Sequence, residues 1–137
     1  MARTKPGRGA VSTYEFLETL HTGPRVTVQR VRERTGGGTV LLRIPNILGH
    51  AADLAAMDEE EEILRILGEE VAPLDTAAAG LDVPRALVTP DPGGRILSRL
   101  IPAGGLSPER VIDIALALAE AIRALHQGRV IHKGIAA

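Results

Sequence analysis

The sequence predicts an α+β fold in which short strands and two long helices follow one another along one modest domain. Three observations support this prediction. Apolar and polar residues alternate in the first third of the chain, apolar residues recur at helical spacing in two later segments, and glycine or proline separates the segments. The 137 residues, of which 45% are hydrophobic, can bury one modest core and leave little room for a second.

The first three predicted strands form a meander. Residues 14–20 and 26–31 alternate, and the HTGPR sequence between them provides a tight connection. The third strand, residues 40–44, ends at Pro45 because proline cannot donate a hydrogen bond to a sheet. The TGGGT sequence at 35–39 favours a turn between strands rather than a phosphate-binding loop.

A long helix is predicted over residues 51–67, with Gly68 as its stop. Two short strands, 71–77 and 85–89, follow around a turn at 79–82, and one or two helical turns are expected near 96–101. One stripe of the long helix carries four apolar residues and one acid, namely Leu54, Met57, Glu61, Leu64 and Leu67.

The second long helix, residues 107–126, has the clearest sequence signals. Ser107 is suited to the N-cap position, Pro108 to the first helical position, and Gly128 to the C-terminal cap. A short strand is predicted after it, at residues 130–132.

Composition argues against several classes of function. The formal net charge is −1, with acids and bases interspersed, so no strong field attracts nucleic acid or an anionic membrane. The chain contains no cysteine, which excludes disulfide and thiolate chemistry and favours the cytoplasm. Residues 1–13 lack the apolar core of a signal peptide and predict a disordered basic leader.

The order of these elements and several short motifs resemble the protein kinase fold, from its first strand to its catalytic loop. YEFLETLHTGPRVTVQRV resembles the first two strands and the glycine-rich loop, VLLR the third-strand motif, and DEEEEILRIL the long N-lobe helix. ALVTPDPGG resembles the hinge, and RVIHKG the start of the catalytic loop. The resemblance is greatest to the serine/threonine kinase-like modules that head large bacterial sensor proteins.

This resemblance implies a domain organisation. Residues 14–89 would form a kinase-like N-lobe with a five-stranded antiparallel sheet and one long helix. Residues 90–137 would form the hinge, the first C-lobe helices and the start of the catalytic loop. The sequence closes before the asparagine and the Asp-Phe-Gly segment that hold magnesium in the family, so a truncated domain is expected.

The glycine-rich loop that the resemblance implies is degenerate. His21, Gly23 and Val26 occupy its three glycine positions, so Gly23 alone is left to bring a backbone N–H close to a phosphate. An ordinary hairpin turn is the alternative interpretation of this segment.

In the third strand, Arg43 stands where the family has a lysine that reaches the nucleotide phosphates and pairs with a helix glutamate, here Glu60. An arginine can still bind a carboxylate but does not replace a compact ammonium. An Arg43–Glu60 ion pair is therefore expected to connect the third strand to the long helix, while Arg43 no longer positions a phosphate. Alternatively, the acidic run 58–62 is a solvated face without a special partner.

The hinge and catalytic loop depart further from the family. Thr89 resembles the family's gatekeeper residue. Together with Asp91, the residues Gly23, Arg43, Glu60 and Thr89 form the degenerate nucleotide-binding site that the resemblance implies. Pro92 stands where a backbone N–H binds adenine in the family, and proline has no N–H. Gly134 occupies the position of the catalytic aspartate and offers no base, while His132 keeps the family's structural role of bracing the loop.

Three functions remain open. The leading hypothesis is a degenerate kinase-like domain that is catalytically inactive as this chain, needs no cofactor and has a binding or regulatory role. The second is a fragment of an ATP-dependent serine/threonine kinase, which would use ATP and magnesium. The third is a small α+β interaction module with no nucleotide dependence. The apolar face of helix 107–126 predicts a protein partner or self-association.

Overall fold

The computed structural model describes residues 12–46, 51–101 and 103–131, without the side chain of Asp53. The chain divides into two compact units, Met1–Pro92 and Gly93–Ala137. Within the described residues, the elements are five strands and three helices: β1 (Tyr14–Thr22), β2 (Val26–Glu33), β3 (Thr39–Pro45), α1 (Ala51–Ile66), β4 (Ala72–Pro73), β5 (Leu87–Pro90), α2 (Leu97–Leu100) and α3 (Pro108–Gln127).

The strands form one antiparallel sheet in the order β1-β2-β3-β5-β4. The predicted α+β class, the five-stranded antiparallel sheet and the long C-terminal helix are therefore confirmed. β1, β2 and β3 extend the predicted strands by one or two residues at their ends, and Pro45 closes β3 as expected.

Helix α1 contacts β3 and buries one stripe in the core of the first unit. Met57 in this stripe is fully buried, whereas Ile66 at the helix end is 59% exposed. Gly68 then adopts a positive φ of 76°, and its N–H donates to the carbonyl of Arg65, so the predicted stop is confirmed. The apolar core consists of Val31, Leu41, Leu42, Met57, Ala79, Ala86 and Leu87.

The fourth strand is much shorter than predicted. Instead of spanning 71–77, β4 contains only Ala72 and Pro73, since Pro73 has no N–H to donate. Asp75 then accepts a hydrogen bond from the Ala78 N–H at 3.0 Å, which closes a turn just beyond the strand. Local side-chain hydrogen bonding thus replaces strand pairing in this segment.

The leader prediction falls largely on residues 1–11, which lie outside the described part of the chain. Its last two residues are held by the turn after β4. The Ser12 hydroxyl donates to the carbonyl of Ala79 at 2.9 Å, and the Thr13 N–H donates to the carbonyl of Ala78 at 3.1 Å.

In the second unit, α3 begins as the sequence predicts. The Ser107 hydroxyl accepts a hydrogen bond from the Arg110 N–H at 3.4 Å, and Pro108 occupies the first helical position. No described residue of α3 is buried. None of the helices in the described residues is long and apolar enough to cross a membrane.

At the C-terminal end of α3 the predicted cap residue is confirmed, but the strand predicted after it is absent from the described residues. Gly128 is the cap residue but has an ordinary φ of −78°, while Arg129 takes the left-handed conformation at φ 59°. The Val130 N–H donates back to the carbonyl of Leu125 at 2.9 Å, which closes a Schellman motif. Residues 130 and 131 therefore form no strand, and His132 lies outside the described residues.

Replacing Arg129 by glycine is expected to stabilise the end of α3 by about 0.5–1 kcal/mol, because glycine adopts positive φ without the steric cost of a side chain. Gly128→Ala is the matched control, and we expect it to change stability by less than about 0.5 kcal/mol because its φ suits any residue. Urea unfolding followed by far-ultraviolet circular dichroism measures both effects. The reverse order of effects would contradict this assignment of the cap.

Candidate functional site

The strand register places two of the candidate residues, Arg43 and Thr89, on one face of the sheet. Directly opposed residues of antiparallel strands point to the same side. Register pairs Glu18 with Arg30, Arg30 with Leu41, and Leu41 with Thr89. Arg43 and Leu87 are paired in the next row on that side. We call this side the cleft face; its residues are Glu18, Arg30, Leu41, Arg43, Leu87 and Thr89.

Arg43 and Glu60 form an ion pair between β3 and α1. Nη1 of Arg43 lies 2.7 Å from Oε1 of Glu60, and the two side chains are 26% and 31% exposed. The pair that the kinase resemblance implies is thus formed, with arginine in place of lysine. The carboxylate engages one nitrogen of the guanidinium and offsets part of the charge of Arg43.

The Gly23 turn uses its own polar groups internally. The Gly23 N–H donates to the carbonyl of Val26 at 2.9 Å, and the Gly23 carbonyl accepts from Nδ2 of Asn46 at 2.6 Å. A Cβ at Gly23 would approach Nε2 of His21 to 3.0 Å. The amide that would have to bind a phosphate is therefore engaged in the turn.

Asp91 belongs to a partly buried ion-pair cluster centred on Arg30. Nε and Nη2 of Arg30 lie 2.7 and 3.1 Å from the two Asp91 carboxylate oxygens, and Nη1 lies 2.5 Å from Oε1 of Glu18. The Asp91 side chain is 2% exposed. Hydrogen bonding to Asp91, and secondarily to Glu18, raises the pKa of Arg30. The cluster ties β1 and β2 to the chain just beyond β5.

A second cluster of ion pairs links α1 to Arg85, which lies two residues before β5. Arg85 contacts both Asp58, at 2.9 Å, and Glu61, while Glu61 also accepts from Arg65 at 2.5 Å. Glu61 is the acid in the predicted apolar stripe and is buried. Two arginines thus satisfy a carboxylate that would otherwise be costly to bury.

Thr89 borders a cavity on the cleft face and has an unsatisfied hydroxyl. The residue is 7% exposed, and its Oγ1 has no hydrogen-bond partner; the same holds for Nε of Arg43. Both residues line a cavity of about 450 Å³ between β3, the end of α1 and the segment after β5. We call it the cleft; apolar groups from Leu41, Leu64, Leu67, Pro90 and Pro92 line it, with Glu69 and Glu70.

The remaining candidates are placed as follows. Pro92 lines the cleft and is exposed, and it has no N–H to donate. His132 and Gly134 lie outside the described residues. Across residues 12–46, 51–101 and 103–131, no group of three or more histidine, aspartate or glutamate side chains could hold a metal ion.

Sequence reasoning missed the roles of Arg30, Arg85 and Asn46. One signal was present, because Arg30 shares the alternation of Val26 and Val28, and a cation at an apolar position indicates a buried partner. Its partner Asp91 is 61 residues away, so no local pattern identifies it.

Comparison with known proteins gives no relative for this chain: no protein-family model, no curated protein and no solved structure matches it.

Proposed function

We propose that this chain is a degenerate protein kinase-like domain that does not transfer phosphate and acts by binding. The order of elements in the kinase resemblance supports it, with the N-lobe at residues 14–89 and the hinge and first C-lobe helices after it. The single observation that carries the proposal is the Arg43–Glu60 pair, 2.7 Å across β3 and α1. The cysteine-free sequence favours the cytoplasm for this role.

Loss of catalysis follows from several independent features. The Gly23 N–H is engaged within its turn, Asp91 is engaged by Arg30, and an arginine replaces the lysine whose compact ammonium positions the phosphates in the family. At the position of the family's catalytic base the sequence has Gly134. Phosphoryl transfer depends on positioned cations and donors around the phosphates, so these features together remove its electrostatic basis.

Phosphate transfer from Mg-ATP, to the chain itself or to a mixture of serine and threonine peptides, tests this proposal. We expect the wild-type chain to transfer no more phosphate than a Gly23→Ala/Arg43→Met variant. Gly134→Asp restores the family's carboxylate, and we expect it to stay inactive because the other groups remain engaged. Transfer by the wild type above the double variant would support the alternative, a fragment of an ATP-dependent kinase.

A second candidate is a small interaction module that associates through α3. It is supported by the apolar side chains that α3 exposes, including Val111 at 51% and Leu118 at 43%. Binding would then occur through a protein partner or a second copy of the chain, without nucleotide. A monodisperse monomer in light scattering would argue against self-association.

A further inference from the structure

We infer that two copies of this chain associate through α3, with the two helices antiparallel and Leu118 on the two-fold axis between them. This dimer rests on the second candidate function, association through α3, and gives it a partner, an orientation and a register. It does not depend on the kinase resemblance. Exposure, sequence symmetry and charge distribution along α3 support it.

One side of α3 is apolar and incompletely covered. No described residue of the helix is buried, and Val111 and Leu118 are 51% and 43% exposed. Apolar residues recur at intervals of three and four, which places them along one side of the helix. We call this side the α3 stripe; its residues are Val111, Ile114, Ala115, Leu118, Ala121, Ile122 and Leu125.

The side chains of the α3 stripe are nearly the same in both directions from Leu118. Ala115 and Ala121 lie three residues to either side, and Ile114 and Ile122 lie four residues to either side. The outermost pair, a valine and a leucine, differs by one methylene group. Regular spacing is common to amphipathic helices, whereas this match of side chains is particular to α3. A two-fold antiparallel pair brings each residue opposite its counterpart, as a self-complementary interface requires.

The positions that flank the α3 stripe allow a second helix to approach closely. Ala117 and Ala124 lie on one flank, and Ala119 lies on the other. Small side chains at these positions shorten the distance between two packed helices. Since alanine has no polar side-chain atoms, close packing there leaves no charged group without a partner.

The charges of α3 favour an antiparallel over a parallel pair. Residues 108–117 contain two acids and one arginine, whereas residues 119–129 contain one acid and two arginines. Antiparallel helices place the acidic half of each copy beside the basic half of the other. Parallel helices would place like charges together. The charge distribution therefore selects a second copy in one orientation.

The size of the α3 stripe limits the strength of the dimer. A helix of 20 residues is about 30 Å long and about 10 Å wide, so its stripe covers on the order of 300 Å². A standard protein interface buries about 800 Å² on each partner. We therefore expect a reversible dimer whose population rises with protein concentration.

Sedimentation of the full chain measures this association. We expect the mass to rise from one chain toward two between about 10 and about 500 µM, where a weak dimer forms. Leu118→Glu should raise the dissociation constant at least about tenfold, because two carboxylates would meet at the two-fold axis. Leu116→Glu is the matched control: Leu116 is 64% exposed and lies on the opposite side of α3. It should change the constant by less than about twofold.

Disulfide cross-linking tests the orientation, since the chain has no cysteine of its own. Leu118→Cys should form a disulfide dimer with oxidised glutathione. Val111→Cys alone should not, because two Val111 positions in an antiparallel pair are about 20 Å apart and a disulfide needs Cα atoms within about 7 Å. A mixture of Val111→Cys and Leu125→Cys should give the mixed dimer, which its mass identifies.

Three results would overturn the antiparallel dimer: a monomer at every concentration, equal effects of Leu118→Glu and Leu116→Glu, or a disulfide dimer of Val111→Cys alone. Equal helical content in far-ultraviolet circular dichroism checks that the two glutamate variants fold. Self-association with the wrong cross-links would keep the second candidate function and remove this orientation. Phosphate transfer is measured separately, so none of these results bears on the loss of catalysis.

Discussion

Replacing Arg30 by methionine is expected to lower the melting temperature of the protein by about 10 °C. Arg30 is 15% exposed and donates two hydrogen bonds to Asp91, whose side chain is 2% exposed. Methionine keeps much of the aliphatic volume but leaves the Asp91 carboxylate without its principal cation. Removing one partner of a buried pair costs far more than the pair itself contributes, because the remaining charge stays desolvated.

Arg32→Met is the matched control for this prediction. Arg32 lies on the same strand, is 48% exposed and reaches Glu15 only at 3.5 Å. An exposed pair of this kind contributes little, so we expect a change of less than about 3 °C. Differential scanning calorimetry of the two variants compares them directly. Equal shifts would contradict the role of Arg30 as the link between β2 and the chain beyond β5.

The second large effect is expected at Met57. Met57→Ala should lower the free energy of unfolding by about 2–4 kcal/mol, because its fully buried side chain fills the space between α1 and the sheet. Alanine has the higher helix propensity, so the loss cannot come from the helix itself. Urea unfolding measures the change.

Ile66→Ala provides the control on the same helix. Ile66 is 59% exposed, and we expect its truncation to cost less than about 1 kcal/mol. If both substitutions cost the same, α1 would not be packed through the Met57 stripe. The pairing of Arg43 with Glu60 on that helix would then lose its structural basis.

Much of the fold could be predicted because its signals are local. Ser107, Pro108 and Gly68 mark helix ends through chemistry within a few residues, and alternation identified β1 to β3. The predicted length of β4 was wrong because the apolar residues of this segment suggested a longer strand, whereas Asp75 accepts a hydrogen bond from the Ala78 N–H and closes a turn. Gly128 is the cap residue of α3 as predicted, but glycine permits a positive φ without requiring it, and Arg129 takes that conformation instead.

The candidate site was less accessible to sequence reasoning. The resemblance correctly suggested that Arg43 and Glu60 would meet, since a strand and the next helix supply them. It did not indicate that Asp91 would be engaged by Arg30, or that Asn46 would hold the Gly23 turn. These contacts depend on which strands become neighbours, and β5 lies between β3 and β4 only in the folded sheet.

We propose that the cleft face is structural, with its charged groups paired to one another rather than to a nucleotide. Glu18 and Asp91 are both paired with Arg30, and Glu60 is paired with Arg43. A ligand that binds only the folded state raises the free energy of unfolding in proportion to the logarithm of its concentration. Nucleotide binding can therefore be detected without any assumption about catalysis.

The most direct test is the free energy of unfolding of the full chain, measured in urea with increasing Mg-ATP. The account predicts no increase over a magnesium-only control, for wild type and for Arg43→Met alike. A concentration-dependent increase in the wild type that disappears in Arg43→Met would contradict it, because it would show that Arg43 still binds the nucleotide.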